Sequence, residues 1–117
     1  MAIRVILSGG GTGGHIYPAV AVAEALKRRL GDEVELLFVG AEGKMEMEKV
    51  PALGYRIVGL PIAGLQRRLE WRNLLVPFKV LRSILLARRT IRDFGADVVV
   101  GFGGYASAPV LWAAQRM

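Results

Sequence analysis

Residues 3–26 read IRVILSGGGTGGHIYPAVAVAEAL, and this stretch decides the fold class. Ile3–Ser8 is continuously apolar apart from Arg4 and rich in β-branched side chains, the pattern of a strand buried on both faces of a parallel sheet. Pro18 is expected to open a helix, since a proline in the first turn has the right φ and lacks an N–H that would go unbonded anyway. Ala19, Val22, Ala23, Leu26 and Leu30 then share one face, with Glu24, Lys27 and Arg28 opposite, and Gly31 closes the helix. Strand, glycine loop and helix in that order form the first unit of an α/β domain.

The alternation continues along the chain. Glu33–Val39 reads as a second strand, Met45 to about Val50 as a short helix stopped by Pro51, and Tyr55–Leu60 as a third strand. A long helix ending near Phe94, a fourth strand at Val98–Gly101 and a last helix from about Ser107–Pro109 complete it. Repeated β and α segments of these lengths imply a Rossmann-like, doubly wound parallel sheet with right-handed crossovers. The last helix carries no C-cap and no following strand, so the chain is read as a partial domain, with folding in doubt because a four-stranded half-sheet leaves apolar edges uncovered.

Composition narrows the function classes. With 53% hydrophobic and 22% charged residues, the chain of 117 residues is not disordered by composition. Cysteine is absent, which removes disulfides, thiolate metal sites and thiol nucleophiles, and a single histidine rules out a multi-histidine metal site. No signal or membrane-spanning segment is read: the apolar run at the N-terminus stops at glycines, and the uncharged stretch 98–115 is broken by glycines and a proline. The formal charge of +6 is local. Residues 61–96 hold eight basic side chains (Arg67, Arg68, Arg72, Lys79, Arg82, Arg88, Arg89 and Arg92) against Glu70 and Asp93, which points to an anionic partner at one patch.

Two glycine loops carry the strongest chemical signal. Gly9-Gly10-Gly11-Thr12-Gly13-Gly14-His15 places five glycines in six residues between a strand and a helix, where backbone N–H groups and the helix dipole favour an anion. The match to G-x-G-x-x-G at Gly9, Gly11 and Gly14 is weak evidence of a dinucleotide site, because the second strand ends at Val39-Gly40 and the nearest acid, Glu42, lies beyond it. A P-loop fails because His15 stands where lysine is needed. Gly101-Phe102-Gly103-Gly104-Tyr105-Ala106-Ser107 repeats the design after the fourth strand. If the strand order is 3-2-1-4, the two loops flank the switch point of the sheet and offer a site for a pyrophosphate. His15 is then either a structural imidazole or, held neutral by the helix N-terminus, a base near pH 7. Tyr17, Tyr105 and Ser107 are possible hydroxyl donors, while Glu46 and Glu48 read as a solvated face.

The basic helix has two apolar stripes. Val76, Val80, Ile84, Ala87, Ile91 and Phe94 form the stripe expected to pack on the sheet. Leu74, Phe78, Leu81 and Leu85 form a second one on nearly the opposite face, with Arg82, Arg88, Arg89 and Arg92 beside it and Leu65 in the preceding connection. Apolar side chains ringed by arginines suit a bilayer interface with anionic headgroups. A partner domain is the alternative, and nucleic acid is disfavoured because aromatic side chains are not interleaved with the charge.

Taken together, GGGTGGHIYPA (9–19), GAEGKMEM (40–47) and GFGGYASAP (101–109) resemble the MurG family of peptidoglycan glycosyltransferases, in order and over essentially the whole chain. The resemblance implies the N-terminal, acceptor-side domain of a GT-B enzyme, with the C-terminal donor-binding domain absent from this chain. It implies a UDP-GlcNAc-dependent hexosyltransferase that adds N-acetylglucosamine to the 4-hydroxyl of undecaprenyl-pyrophosphoryl-MurNAc-pentapeptide (lipid I), giving lipid II with inversion. It further implies a role in cell-wall synthesis, and through it in cell shape and division, at the cytoplasmic face of the bacterial membrane. On this basis His15 is the candidate base, and Thr12, Gly13 and Gly14 reach the donor. Gly11, Gly13, Gly14, Gly103, Gly104, Tyr105 and Ser107 hold the acceptor pyrophosphate. Leu65, Leu74, Phe78, Leu81, Leu85, Arg82, Arg88 and Arg89 meet the membrane. No metal, cofactor or nucleic acid is implied, and the chain alone is expected to be inactive. The competing readings are a nucleotide-cofactor domain of an oxidoreductase and a non-catalytic membrane-surface module.

Overall fold

The structure is a computed structural model that describes residues 2–9, 13–43, 46–61, 76–102 and 107–117, with side chains for all of these except 13–16, 76, 77, 79, 80 and 107. Four strands form one parallel sheet: β1 (Ile3–Ser8), β2 (Val34–Ala41), β3 (Ile57–Leu60) and β4 (Val98–Gly101). Their order is β3-β2-β1-β4, as expected for a doubly wound sheet. The helices are α1 (Gly13–Leu30), α2 (Glu46–Ala52), α3 (Val76–Phe94) and α4 (Ser107–Gln115), with a short 3₁₀ turn at Gly31–Glu33.

Period-two alternation splits the core into two layers. Val5 and Leu7 of β1 and Val34, Leu36 and Phe38 of β2 pack with Ala19 and Ala23 of α1 and Val50 of α2. Ile6, Leu37, Val39 and Ala41 point the other way, against Ala87 and Ile91 of α3 and Val110 and Ala113 of α4. The chain therefore lays α1 and α2 on one face, then crosses to the other for α3 and α4. That reversal lies between β1 and β4. The far edge of β4 pairs with nothing among the described residues, and Val98 is 45% exposed there.

Several boundaries differ from the sequence expectation. Helix α1 starts at Gly13 rather than Pro18, so Pro18 lies inside it and supplies no N–H to the carbonyl of Gly14. The glycine loop itself supplies the first turn of the helix. Pro51 likewise lies within α2, and the chain turns only at Gly54, whose φ is 91°. Strand β2 runs two residues past Val39, and β3 begins at Ile57 rather than Tyr55. Of the stripe expected to face the sheet, Ala87 and Ile91 are buried and Ile84 and Phe94 half-buried; the side chains of Val76 and Val80 lie outside those described.

The largest departure is Glu46. It is fully buried rather than solvated, and its Oε2 accepts the N–H of Ala41 at 3.0 Å, while Glu48 stays exposed. Gly40 makes room for it: a Cβ there would stand 2.7 Å from Glu46 Cγ. Gly101 serves packing in the same way, since a Cβ would stand 2.5 Å from Leu111 Cδ1. Replacing Gly101 with Ala should therefore destabilise the fold by about 1–3 kcal/mol. Leu111→Ala in the same chain should recover part of that loss, with a coupling of at least ~0.5 kcal/mol by urea unfolding. Additive effects would show that α4 does not press on β4 at this point.

Candidate functional site

The site is built where β1 and β4 end. Ser8 is in register with Val39 on one side and Gly101 on the other. The N–H of Phe102 donates to Ser8 O at 2.8 Å, and the N–H of Gly9 donates to Val39 O at 3.3 Å. The buried Ser8 hydroxyl also donates to Val39 O, at 3.4 Å. These bonds make both glycine loops leave the sheet side by side.

Each loop feeds a helix that begins over the same edge. The first-turn N–H groups of an α-helix have no partner inside it, and they carry the positive end of the dipole. Helices α1 and α4 hold no acidic side chain in the first turn, whereas α2 has Glu46 and Glu48 there. The sheet edge thus presents two helix N-termini without their own counter-charge beside one that has it. In α4, Pro109 takes the third position, where its missing N–H costs no helical bond.

Gly13, Gly14 and His15 form the first turn of α1, and Ser107 is the first residue of α4, all placed here by backbone alone. Gly11, Thr12, Gly103, Gly104 and Tyr105 lie outside the described residues. Tyr17 does not pack away, since its side chain is exposed. Glu42 follows β2 directly and is exposed, with its N–H bonded to Leu60 O at 2.9 Å. Glu42 thus stands just beyond the second strand, as the sequence reading has it, although that strand runs on to Ala41 and brings its end next to the acid. Among the described residues no cluster of His, Cys, Asp or Glu could hold a metal ion.

The second surface is on α3. Phe78, Leu81 and Leu85 are 69%, 54% and 58% exposed, and Arg82, Arg88 and Arg89 are exposed beside them; Leu65 and Leu74 lie outside the described residues. The structure adds a neighbour that sequence reasoning missed. Trp112 of α4, 46% exposed, joins Leu81 and Leu85 around one cavity, with the Arg116 guanidinium stacked 3.7 Å from the centre of its ring. The i,i+4 spacing of Trp112 and Arg116 was visible in the sequence, but the adjacency of α3 and α4 was not. No described helix is long and apolar enough to cross a membrane.

Comparison with known proteins now sets the class. The profile of the glycosyltransferase family 28 N-terminal domain matches residues 5–117, and the chain belongs to this family. Family membership separates it from dinucleotide-binding domains. The chain is 56% identical over 111 residues to a protein of Parabacteroides distasonis, covering 95% of this chain and 30% of that one. It is 58% identical over 112 residues to a protein of Cytophaga hutchinsonii, covering 96% and 30%. Both are named UDP-N-acetylglucosamine--N-acetylmuramyl-(pentapeptide) pyrophosphoryl-undecaprenol N-acetylglucosamine transferase. The fold also matches the crystal structure of Acinetobacter baumannii MurG with a TM-score of 0.80 at 29% identity, over 97% of this chain and 32% of that one. This chain spans about a third of the length of these proteins.

A carboxylate added to the first turn of α4 should act oppositely on the helix and on the site. Ala108→Glu is expected to stabilise the fold by a few tenths of a kcal/mol through the dipole. The same change should weaken binding of inorganic pyrophosphate by roughly tenfold through like-charge repulsion. Calorimetric titration beside urea unfolding would show both signs.

Proposed function

We propose that this chain is the acceptor- and membrane-side part of a transferase that moves N-acetylglucosamine from UDP-GlcNAc to the MurNAc 4-hydroxyl of lipid I, giving lipid II. The observation that carries this reading is the pair of acid-free helix N-termini, α1 and α4, side by side at the switch edge of the sheet. The relatives' printed names supply the chemistry of a pyrophosphoryl-linked acceptor that such an edge fits.

In this reading Gly13, Gly14 and Ser107, with Gly11, Gly103, Gly104 and Tyr105, hold the acceptor pyrophosphate through backbone N–H groups and hydroxyls. Thr12, Gly13 and Gly14 also reach the donor, most of which is bound by chain that the relatives have beyond the segment matched here. His15 stands in the first turn of α1, where the dipole disfavours an imidazolium and keeps a neutral ring available. It takes the proton of the acceptor 4-hydroxyl as that oxygen attacks the anomeric carbon. The new C–O bond forms while the bond to UDP breaks on the opposite face, so the centre inverts and UDP leaves with the electron pair. Donors aimed at the leaving diphosphate stabilise its developing charge.

The exposed face of α3, extended by Trp112, meets the bilayer at the cytoplasmic surface, with Arg82, Arg88 and Arg89 at anionic headgroups. The enzyme is then peripheral, and it draws its acceptor from the membrane it sits on.

His15→Ala in the full-length protein should lower kcat by ~10²–10⁴-fold while leaving flotation with anionic vesicles unchanged. Unchanged turnover would remove His15 as the base. Flotation of wild-type protein that rises with a lipid I analogue supports the acceptor site, whereas flotation set by anionic lipid alone would leave a membrane-surface module.

A further inference from the structure

Tyr17 sits in the second turn of α1, and its side chain is 58% exposed. Among the described residues it makes no hydrogen bond and no ring contact. Tyr55, by contrast, is half-buried with its ring 5.3 Å from that of Phe38. The buried line of α1 runs through Ala19 and Ala23, which are fully enclosed against β1 and β2. At about 100° per residue, Tyr17 stands roughly 140° from the middle of that line, so it faces away from the sheet.

The same geometry brings the ring to the opening of the helix. A helical side chain leans toward the N-terminus and covers the turn before its own Cα. One turn before Tyr17 are Gly13 and Gly14, whose positions around the axis fall on either side of it. Neither carries a side chain that would occupy the space. The rise from Gly13 to Tyr17 is about 6 Å, which places the phenol ring beside the first-turn N–H groups. Tyr17 does not belong with the exposed stripe of α3, because α1 and α3 pack on opposite layers of the sheet.

We propose that Tyr17 is a substrate contact whose ring receives the pyranose face of the acceptor sugar. The inference rests on the proposed function and adds a contact that selects the sugar rather than the anion. The relatives' printed names put an N-acetylmuramyl group next to the pyrophosphoryl group. With that anion at the first-turn N–H groups of α1, the pyranose is the next group along and comes against the ring. A tyrosine offers a stiff apolar face and a polar tip, which suits a sugar with an apolar C–H face and a hydroxylated rim.

The test uses the full-length protein in steady-state assays with UDP-GlcNAc and a short-chain lipid I analogue. Tyr17→Leu and Tyr17→Ala should each raise the acceptor KM roughly tenfold, the upper range of one aromatic contact, while Tyr17→Phe stays within about threefold. In all three variants kcat, the UDP-GlcNAc KM and calorimetric binding of inorganic pyrophosphate should stay within about threefold, since backbone N–H groups hold the anion. The urea midpoint should be unchanged, because the side chain is exposed. An unchanged acceptor KM in Tyr17→Ala would overturn the contact and leave the acceptor site standing. A rise in the UDP-GlcNAc KM instead would assign the ring to the donor and overturn the acceptor assignment. Full loss in Tyr17→Phe, or wild-type acceptor KM in Tyr17→Leu, would overturn the role of the aromatic face. Equal losses for both substrates with a lowered urea midpoint would make Tyr17 a packing residue and overturn the contact. Absence of transfer by the wild-type enzyme would overturn the proposed function, and this contact with it.

Discussion

The end of β1 is the point on which the arrangement depends. Ser8 is fully buried between β2 and β4; its carbonyl receives the N–H of Phe102, and its hydroxyl reaches Val39 O. A one-residue slip of β4 against β1 would turn every β4 side chain to the opposite layer of the core, so register is strongly set wherever the layers are buried. Once it is set, the two glycine loops must emerge together, and α1 and α4 must begin over one edge.

That edge is electrically uneven in a way that matters for ligands. The N-terminus of α2 carries Glu46 and Glu48, and the Glu46 carboxylate is tied back to Ala41 N–H in space that Gly40 leaves open. The turn between β2 and α2 is thereby closed from within. Helices α1 and α4 have no such internal anion. Glycines on the same sheet edge thus have different uses: Gly40 and Gly101 make room for side chains, while Gly13 and Gly14 open α1 with no acidic side chain in its first turn.

The sheet was legible from sequence because its strands are short apolar runs between strong breakers. Asp97 and the glycines after Val100 bracket β4, whose limits agree with those expected. The start of α1 was not legible: glycines have low helix propensity and Pro18 is a normal first residue, so nothing local shows that the turn before it is already helical. Burial of Glu46 was hidden for a related reason. A glutamate on a short helix ordinarily faces water, and only the missing Cβ of Gly40 makes room for it inside. The exposed stripe of Phe78, Leu81 and Leu85 came from periodicity alone, while Trp112 belongs with it through tertiary packing that periodicity within a single helix cannot reveal.

Topology also relates the two surfaces to each other. In a parallel β-α-β unit the helix starts at the carboxyl edge of the strand before it and runs back across the sheet. Helix α3 follows β3, so its N-terminal half, with Phe78 and Leu81, lies toward the edge where β1 and β4 release their glycine loops. From Phe78 to Leu85 the helix advances about 10 Å. The exposed apolar stripe therefore begins on the ligand side of the sheet and extends away from it. A bilayer meeting this stripe would lie on the side of the two acid-free helix N-termini, within reach of a headgroup that is still anchored by its hydrocarbon chain. For a soluble sugar nucleotide such closeness has no use. Under the proposed function, an acceptor whose pyrophosphate joins a sugar to a membrane lipid would have its anion held at the sheet edge while its lipid stayed in the membrane.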